Sequence, residues 1–142
     1  MKHKIAIEQH IEQNIDLVWM FYTSPEHIIH WNHASDDWHT TKAENDLRIG
    51  GRFSSRMEAK DGSFGFDFEG TYVAVDPFER IDYILDDNRI VSIRFHAYAS
   101  TTKIEIIFEA EEENSYELQE QGWQAILDQF KRYVESQPSK NS

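Results

Sequence analysis

From Arg48 to Ala110 the chain alternates between apolar and polar residues with a period of two. Turn-forming residues interrupt the run at Gly50-Gly51, Asp61-Gly62, Asp76-Pro77, Asp86-Asp87-Asn88 and Ala99-Ser100, which predicts five antiparallel strands joined by tight connections. Asp-Gly between two alternating runs favours a two-residue type I′ turn, and that turn fixes the register. Lys60 then pairs with Ser63, Met57 with Phe66, Ser55 with Phe68 and Phe53 with Gly70, while Arg56 meets Asp67 and Ser54 meets Glu69 on the opposite face. One face is apolar, with small gaps at Ser55 and Gly70, and the other is charged, as in a sheet covered on one side only. Ile81, Tyr83 and Leu85, then Val91, Ile93 and Phe95, then Ile104, Ile106 and Phe108 extend the apolar face.

Different periods frame this block. Tyr116, Gln119, Trp123, Ile126, Leu127, Phe130 and Val134 recur at three- and four-residue steps, which predicts one long amphipathic helix over Asn114 to Glu135. Asn114 is the expected N-cap, with Glu117 three positions on, and Lys131 and Arg132 suit the C-terminal end of the dipole before Pro138 marks the stop. Gly122 costs about 1 kcal/mol relative to Ala inside a helix, so a close approach to the backbone is expected there. At the other end Ile5 and Ile7, with His10 a candidate third member, alternate in a first strand. Asn14 caps a short helix through Val18, Trp19 and Tyr22, Ser24-Pro25 opens a second, and His33 to Asn45 reads as irregular chain.

The order is strand, two short helices, antiparallel strands and long helix, without α/β alternation. This is an α+β chain in which the long helix lies in the concave face of a curved sheet of about six strands. The chain resembles the START-like helix-grip (SRPBCC) superfamily, and within it the branch similar to activators of a heat-shock chaperone's ATPase (Aha-type domains). The resemblance rests on Val18-Trp19, Pro25-Glu26-His27, Trp31, the run Ala34 to His39, Gly50-Gly51-Arg52-Phe53, Met57 to Ser63, Phe66 to Tyr72 and Gly122-Trp123-Gln124. It implies one helix-grip domain over 1–136, with 137–142 a flexible tail. It also implies that the Asp36-Asp37-Trp38-His39 loop covers a pocket mouth. The family mixes lipid carriers, ligand sensors, polyketide cyclases and chaperone cofactors on one scaffold, so the fold by itself does not fix the activity.

Composition narrows the field. With 14 basic and 26 acidic residues the net charge is −12, which argues against a nucleic-acid or anionic membrane surface as partner. There is no cysteine, hence no disulfide frame, thiolate nucleophile or thiolate metal site, and a cytoplasmic location is expected. No apolar run approaches the ~18 residues of a membrane span.

The candidate chemistry is apolar recognition. Trp31, Trp38, Phe53, Phe66, Phe68, Tyr72, Tyr83, Phe95 and Trp123 are expected to point inward with Phe130, while Ser55, Gly70 and Gly122 leave room among them. Ser55, Tyr72, Tyr83, Ser92 and Gln119 are the candidate polar handles. The expected function is non-catalytic binding of an apolar or aromatic small molecule, lipid-like or polyketide-like, entering past Trp31 to His39, by a monomer or weak dimer. The resemblance implies the alternatives, a chaperone-associated or other protein-binding module with a role in stress response, or a cavity enzyme of cyclase or hydrolase type. No cofactor is called for. His27, His30, His33 and His39 stand close together beside Asp36 and Asp37, but their spacing fits no metal pattern, and no bound zinc or iron is expected. Arg56, Glu58, Asp67 and Glu69 read as a solvated ion-pair ladder.

Overall fold

A computed structural model describes residues 2–137; the Pro138 stop signal and the rest of the expected tail lie outside the described residues. Seven strands form one curled antiparallel sheet in the order β1-β7-β6-β5-β4-β3-β2. They are β1 (Lys4–Ile11), β2 (Trp38–Asn45), β3 (Arg52–Ala59), β4 (Gly65–Asp76), β5 (Arg80–Leu85), β6 (Ile90–Ala97) and β7 (Thr102–Glu109). Helices α1 (Ile15–Thr23) and α2 (Pro25–Trp31) follow β1, and α3 (Tyr116–Ser136) closes the chain. Because β1 and β2 are the two edges of the sheet, α1 and α2 carry the chain from one edge to the other.

Five of the expected pairs hold: Met57 opposes Phe66, Ser55 Phe68, Phe53 Gly70, Arg56 Asp67 and Ser54 Glu69, whereas Lys60 and Ser63, expected to pair, lie in the loop beyond the ladder. The turn itself differs. Type I′ needs positive φ at both central residues, whereas in this loop Gly62 alone has it, at +79°. Gly62 N–H donates to Ala59 O, and Ala59 N–H donates to Phe64 O, so Lys60 to Ser63 form a longer loop that preserves the register. On the charged face Arg56 reaches Glu58 and Asp67 at 3.0 and 3.4 Å, and Ser54 Oγ donates to Glu69.

β2 is the strand that periodicity misses. It lies in the stretch read as irregular, on an edge, and its pairing with β3 shifts between Thr40 and Lys42, which puts the apolar positions out of step. In β1 the buried set is Ile5, Ile7 and Ile11; His10 is on the other face, exposed, with its ring 5.7 Å from that of Tyr98. Asn14 caps α1 as expected, accepting from Leu17 N–H, but α3 is capped by Ser115, which accepts from Leu118 N–H, while Asn114 N–H donates to Glu111. The last turn of α3 carries no basic residue.

Ile81, Tyr83, Leu85, Val91, Ile93, Phe95, Ile104, Ile106 and Phe108 all face the buried interior, where Leu127, Phe130 and Val134 of α3 meet them. On the convex side Asp82 is buried between Arg80 and Arg94, at 2.6 and 2.7 Å. Burial alone would raise its carboxyl, but hydrogen bonds from the two guanidiniums outweigh that and hold it below the ordinary Asp range.

Nothing packs against Gly122: a Cβ built there meets no atom within 4 Å. The expected close approach is absent, and the glycine costs α3 stability without an offsetting contact. Gly122→Ala should therefore raise the unfolding free energy by about 1 kcal/mol, read as a higher denaturant midpoint at unchanged slope. An unchanged or lower midpoint would show that Gly122 serves a contact the free domain lacks.

Candidate functional site

Between α3, α2 and strands β3 to β7 lies a cavity of about 100 Å³. Seven aromatic rings line it: Tyr22 from α1, Trp31 from α2, Phe53, Phe68, Tyr72 and Tyr83 from the sheet, and Trp123 from α3. Ile28, Ile81, Ile93, Ile106, Ile126 and Leu127 fill the spaces between them, and Ser55 adds a small polar group. Thr23, Asn32, Glu44 and Asn45 form a polar rim on which Glu44 is exposed.

The rings brace one another. Trp123 stacks on Phe108 at 4.1 Å with 9° between planes, and meets Phe68 edge-on at 6.1 Å. Trp31 is buried, stacks on Tyr22 at 5.0 Å, meets Phe130 edge-on at 4.9 Å, and donates from Nε1 to Phe21 O. Phe53 covers Gly70, whose hypothetical Cβ would lie 2.8 Å from the ring, so the gap expected at Gly70 is already filled. Ser55 remains the small residue that leaves space.

Seven of the eleven sequence-derived candidates line the cavity: Trp31, Phe53, Ser55, Phe68, Tyr72, Tyr83 and Trp123. Four stand elsewhere. Phe66 has the expected face but lies beyond the reach of α3, 47% exposed, with its ring 5.9 Å from that of Trp38. Trp38 starts the edge strand outside the cavity wall. Phe95 is buried, but packed edge-on against Trp19 and Tyr22. Gln119 is buried too, and its amide is used up locally: it accepts from Glu111 N–H and donates to the carbonyls of Glu111 and Asn114, tying the approach to α3. Ser92, the remaining polar handle, pairs with Asp82 in the convex-side register and lines no part of the cavity. The Asp36-Asp37 loop is fastened to the β3–β4 hairpin, where Lys60 N–H donates to Asp37 O, and residues 33–39 do not reach the cavity.

Residue-by-residue reading missed Tyr22 and the rim. Tyr22 is one helical turn beyond the buried Val18, a spacing that could have found it. Asn45 was hidden in the stretch read as irregular. Its side chain accepts from the Tyr72 hydroxyl at 2.5 Å and donates to Thr23 O at 2.6 Å, bridging β4 to the end of α1 through β2.

The tyrosines set the electrostatics. Burial drives the Tyr22, Tyr72 and Tyr83 phenols well above the ordinary tyrosine range, and their mutual proximity adds to the rise for Tyr72 and Tyr83. All three are protonated donors at neutral pH. Tyr72 is paired with Asn45; neither Tyr22 nor Tyr83 has a hydrogen-bond partner among the described residues. Neither oxygen is sealed off, since among the described residues His33 Nδ1 is the buried side-chain atom left without a partner. Both hydroxyls therefore keep accessible surface, and both residues line the cavity.

The histidines do not converge. His27 Nδ1 is 2.7 Å from the Tyr133 hydroxyl, His30 stacks on the Tyr133 ring, and His33 is held below its ordinary pKa by burial, opposed by Asp36 and reinforced by Lys60, Arg132 and His39. Among the described residues no three His, Asp or Glu side chains come close enough to share a metal ion.

A curled antiparallel sheet gripping a C-terminal helix over an aromatic cavity defines the START-like helix-grip class. Residues 12–135 match the family described as "Activator of Hsp90 ATPase homolog 1-like protein", and the chain belongs to that family. A solution structure of the AHSA1-like protein from Aeromonas hydrophila is 48% identical with a TM-score of 0.89, covering 94% of this chain and 93% of that one. A protein from Cytophaga hutchinsonii, also solved in solution, is 42% identical with a TM-score of 0.81, covering 96% and 98%. A crystal structure from Chromobacterium violaceum, 23% identical over 95% and 99% of the two chains, has a TM-score of 0.83 and shares the fold. No curated protein matches the chain.

Asn45 is the residue through which this geometry is most easily probed. Asn45→Ala should cost about 1–3 kcal/mol, because it leaves the Tyr72 hydroxyl and the Thr23 carbonyl without partners. Tyr72→Phe, which removes only one donor, should cost less. Equal stability of Asn45→Ala and wild type in urea would contradict the bridge.

Proposed function

We propose that this domain binds a compact apolar or aromatic small molecule, without chemical change, in the cavity between α3 and the sheet. The observation that carries the reading is an aromatic-walled space beneath a polar rim, the composition that ligand pockets favour. Size bounds the ligand. An apolar cavity of about 150 Å³ holds benzene, whereas drug-sized molecules need roughly 300–1,000 Å³. A space of about 100 Å³ is smaller than either, so a single ring enters with a modest widening of the wall, and a lipid-like or polyketide-like guest would have to widen it much further by displacing α2 or the β2 edge. Glu44 is the one carboxylate among the lining residues; it is exposed and paired with the surface Lys42 at 2.9 Å, and no histidine lines the cavity with it, which supports binding over acid–base catalysis. No described helix is long and apolar enough to cross a membrane; the cysteine-free, acidic composition supports a cytoplasmic protein that avoids nucleic acid.

A second reading, a chaperone-associated or other protein-binding module, is supported by the family's description and by one surface feature. Phe64 and Phe66, 74% and 47% exposed, stand side by side along the β3–β4 hairpin. A module of that kind would lose partner binding in a Phe64→Ser/Phe66→Ser variant and keep it when the cavity is filled.

The binding reading predicts saturable thermal stabilisation by single-ring aromatic compounds. A ten-atom ligand at about 0.5 kcal/mol per heavy atom reaches ~5 kcal/mol, a dissociation constant of hundreds of micromolar. Ser55→Leu, which projects into the space, should abolish the shift while the protein still melts cooperatively. If a chemically broad set of such compounds gives no saturable shift with the wild-type protein, the protein-partner reading takes its place.

A further inference from the structure

Resting on the binding reading above, we infer that the ligand is a neutral molecule bearing a hydrogen-bond acceptor, an aromatic or alicyclic carbonyl compound, held by its oxygen at the hydroxyls of Tyr22 and Tyr83. The cavity is not uniformly greasy. Tyr83 is 8% exposed, and neither its hydroxyl nor that of Tyr22 has a partner among the described residues, although both residues line the cavity and neither hydroxyl is fully sealed off. A donor that keeps a little surface in an apolar cavity is satisfied by water or by a guest, and a guest that shuts the water out must supply the acceptor or leave the donor unpaired at a cost. Tyr72 illustrates the alternative, since its hydroxyl is satisfied by Asn45. The two remaining phenols come from β5 and α1, so an acceptor oxygen reached by both would tie the sheet to the helix.

Charge selects the class. Burial keeps the phenols protonated, so they offer hydrogens to an oxygen lone pair. Among the described lining residues no lysine, arginine or histidine is present to neutralise a carboxylate or phosphate, and the rim carboxylate Glu44 already holds the nearby Lys42 at 2.9 Å. An ammonium would find aromatic faces but has no lone pair to accept the phenol hydrogens. A neutral carbonyl meets all three conditions: apolar body, acceptor oxygen, no charge.

The test is a matched series on one ring, measured with the full chain by calorimetry or ligand-observed NMR: acetophenone, ethylbenzene, benzoate and phenyltrimethylammonium. Acetophenone should bind tightest. In Tyr83→Phe and in Tyr22→Phe its affinity should fall about tenfold, the effect of one lost hydrogen bond, while that of ethylbenzene is unchanged, which also shows that the variants keep the fold and the cavity. Equal binding of acetophenone and ethylbenzene by wild type, an acetophenone affinity that survives in the Tyr22→Phe/Tyr83→Phe double variant, or tighter binding of benzoate or the ammonium would each overturn the assignment while leaving the cavity a binding site. Failure of all four compounds to bind would instead remove the underlying reading of the cavity.

Discussion

The indole of Trp31 holds three elements at one point. Its Nε1–H bonds the Phe21 carbonyl at the end of α1, its face lies on Tyr22, and Phe130 of α3 meets it edge-on. A curled sheet encloses more volume than one helix fills, and the side chains that α1 and α2 add across the gap between the edge strands decide how much stays open. With Trp31 seated, α2 roofs the space left between α3 and β3 to β5. Trp123, braced flat on Phe108 and edge-on to Phe68, walls the other side. Close packing penalises voids, because wall atoms lose dispersion contacts on one side. A space of about 100 Å³ retained amid so many large rings is consistent with a domain shaped for a guest.

Polarity is divided along the same lines. The convex face carries the ion pairs: Arg80 and Arg94 around Asp82, Arg56 between Glu58 and Asp67, and Arg52 on Asp86. These pairs leave the interior free of charge, so three phenols, the Ser55 hydroxyl and the Asn45 amide give the cavity its directional chemistry. Asn45 joins the edge strand β2 to Tyr72 and to the end of α1, so the rim is positioned by the same strand that closes the curl.

The antiparallel core was legible because alternation specifies the face of every residue, and a hairpin shifted by one residue would have put Glu69 on the inner face in place of Phe68. Alternation does not specify depth along a strand. Phe66 and Phe68 share a face, yet only Phe68 reaches beneath α3; Phe95 shares the face of Ile93 but points its ring at α1. The helical stripe had the same blind spot, since Gln119 occupies a buried position but spends its amide on the loop before α3. β2 escaped because a bulge between Thr40 and Lys42 breaks the period, and Asn45 went with it. Tyr22 was within reach of a helical-wheel argument from Val18.

The central claim is that an apolar, accessible void persists between α3 and the sheet in the free protein. A crystal structure determined under xenon pressure tests it most directly, because xenon enters dry apolar cavities and scatters strongly. The account predicts a xenon site among Trp31, Phe53, Tyr83 and Trp123, displaced in Ser55→Leu. Side chains collapsed into that volume, with no xenon between the helix and the sheet, would contradict it.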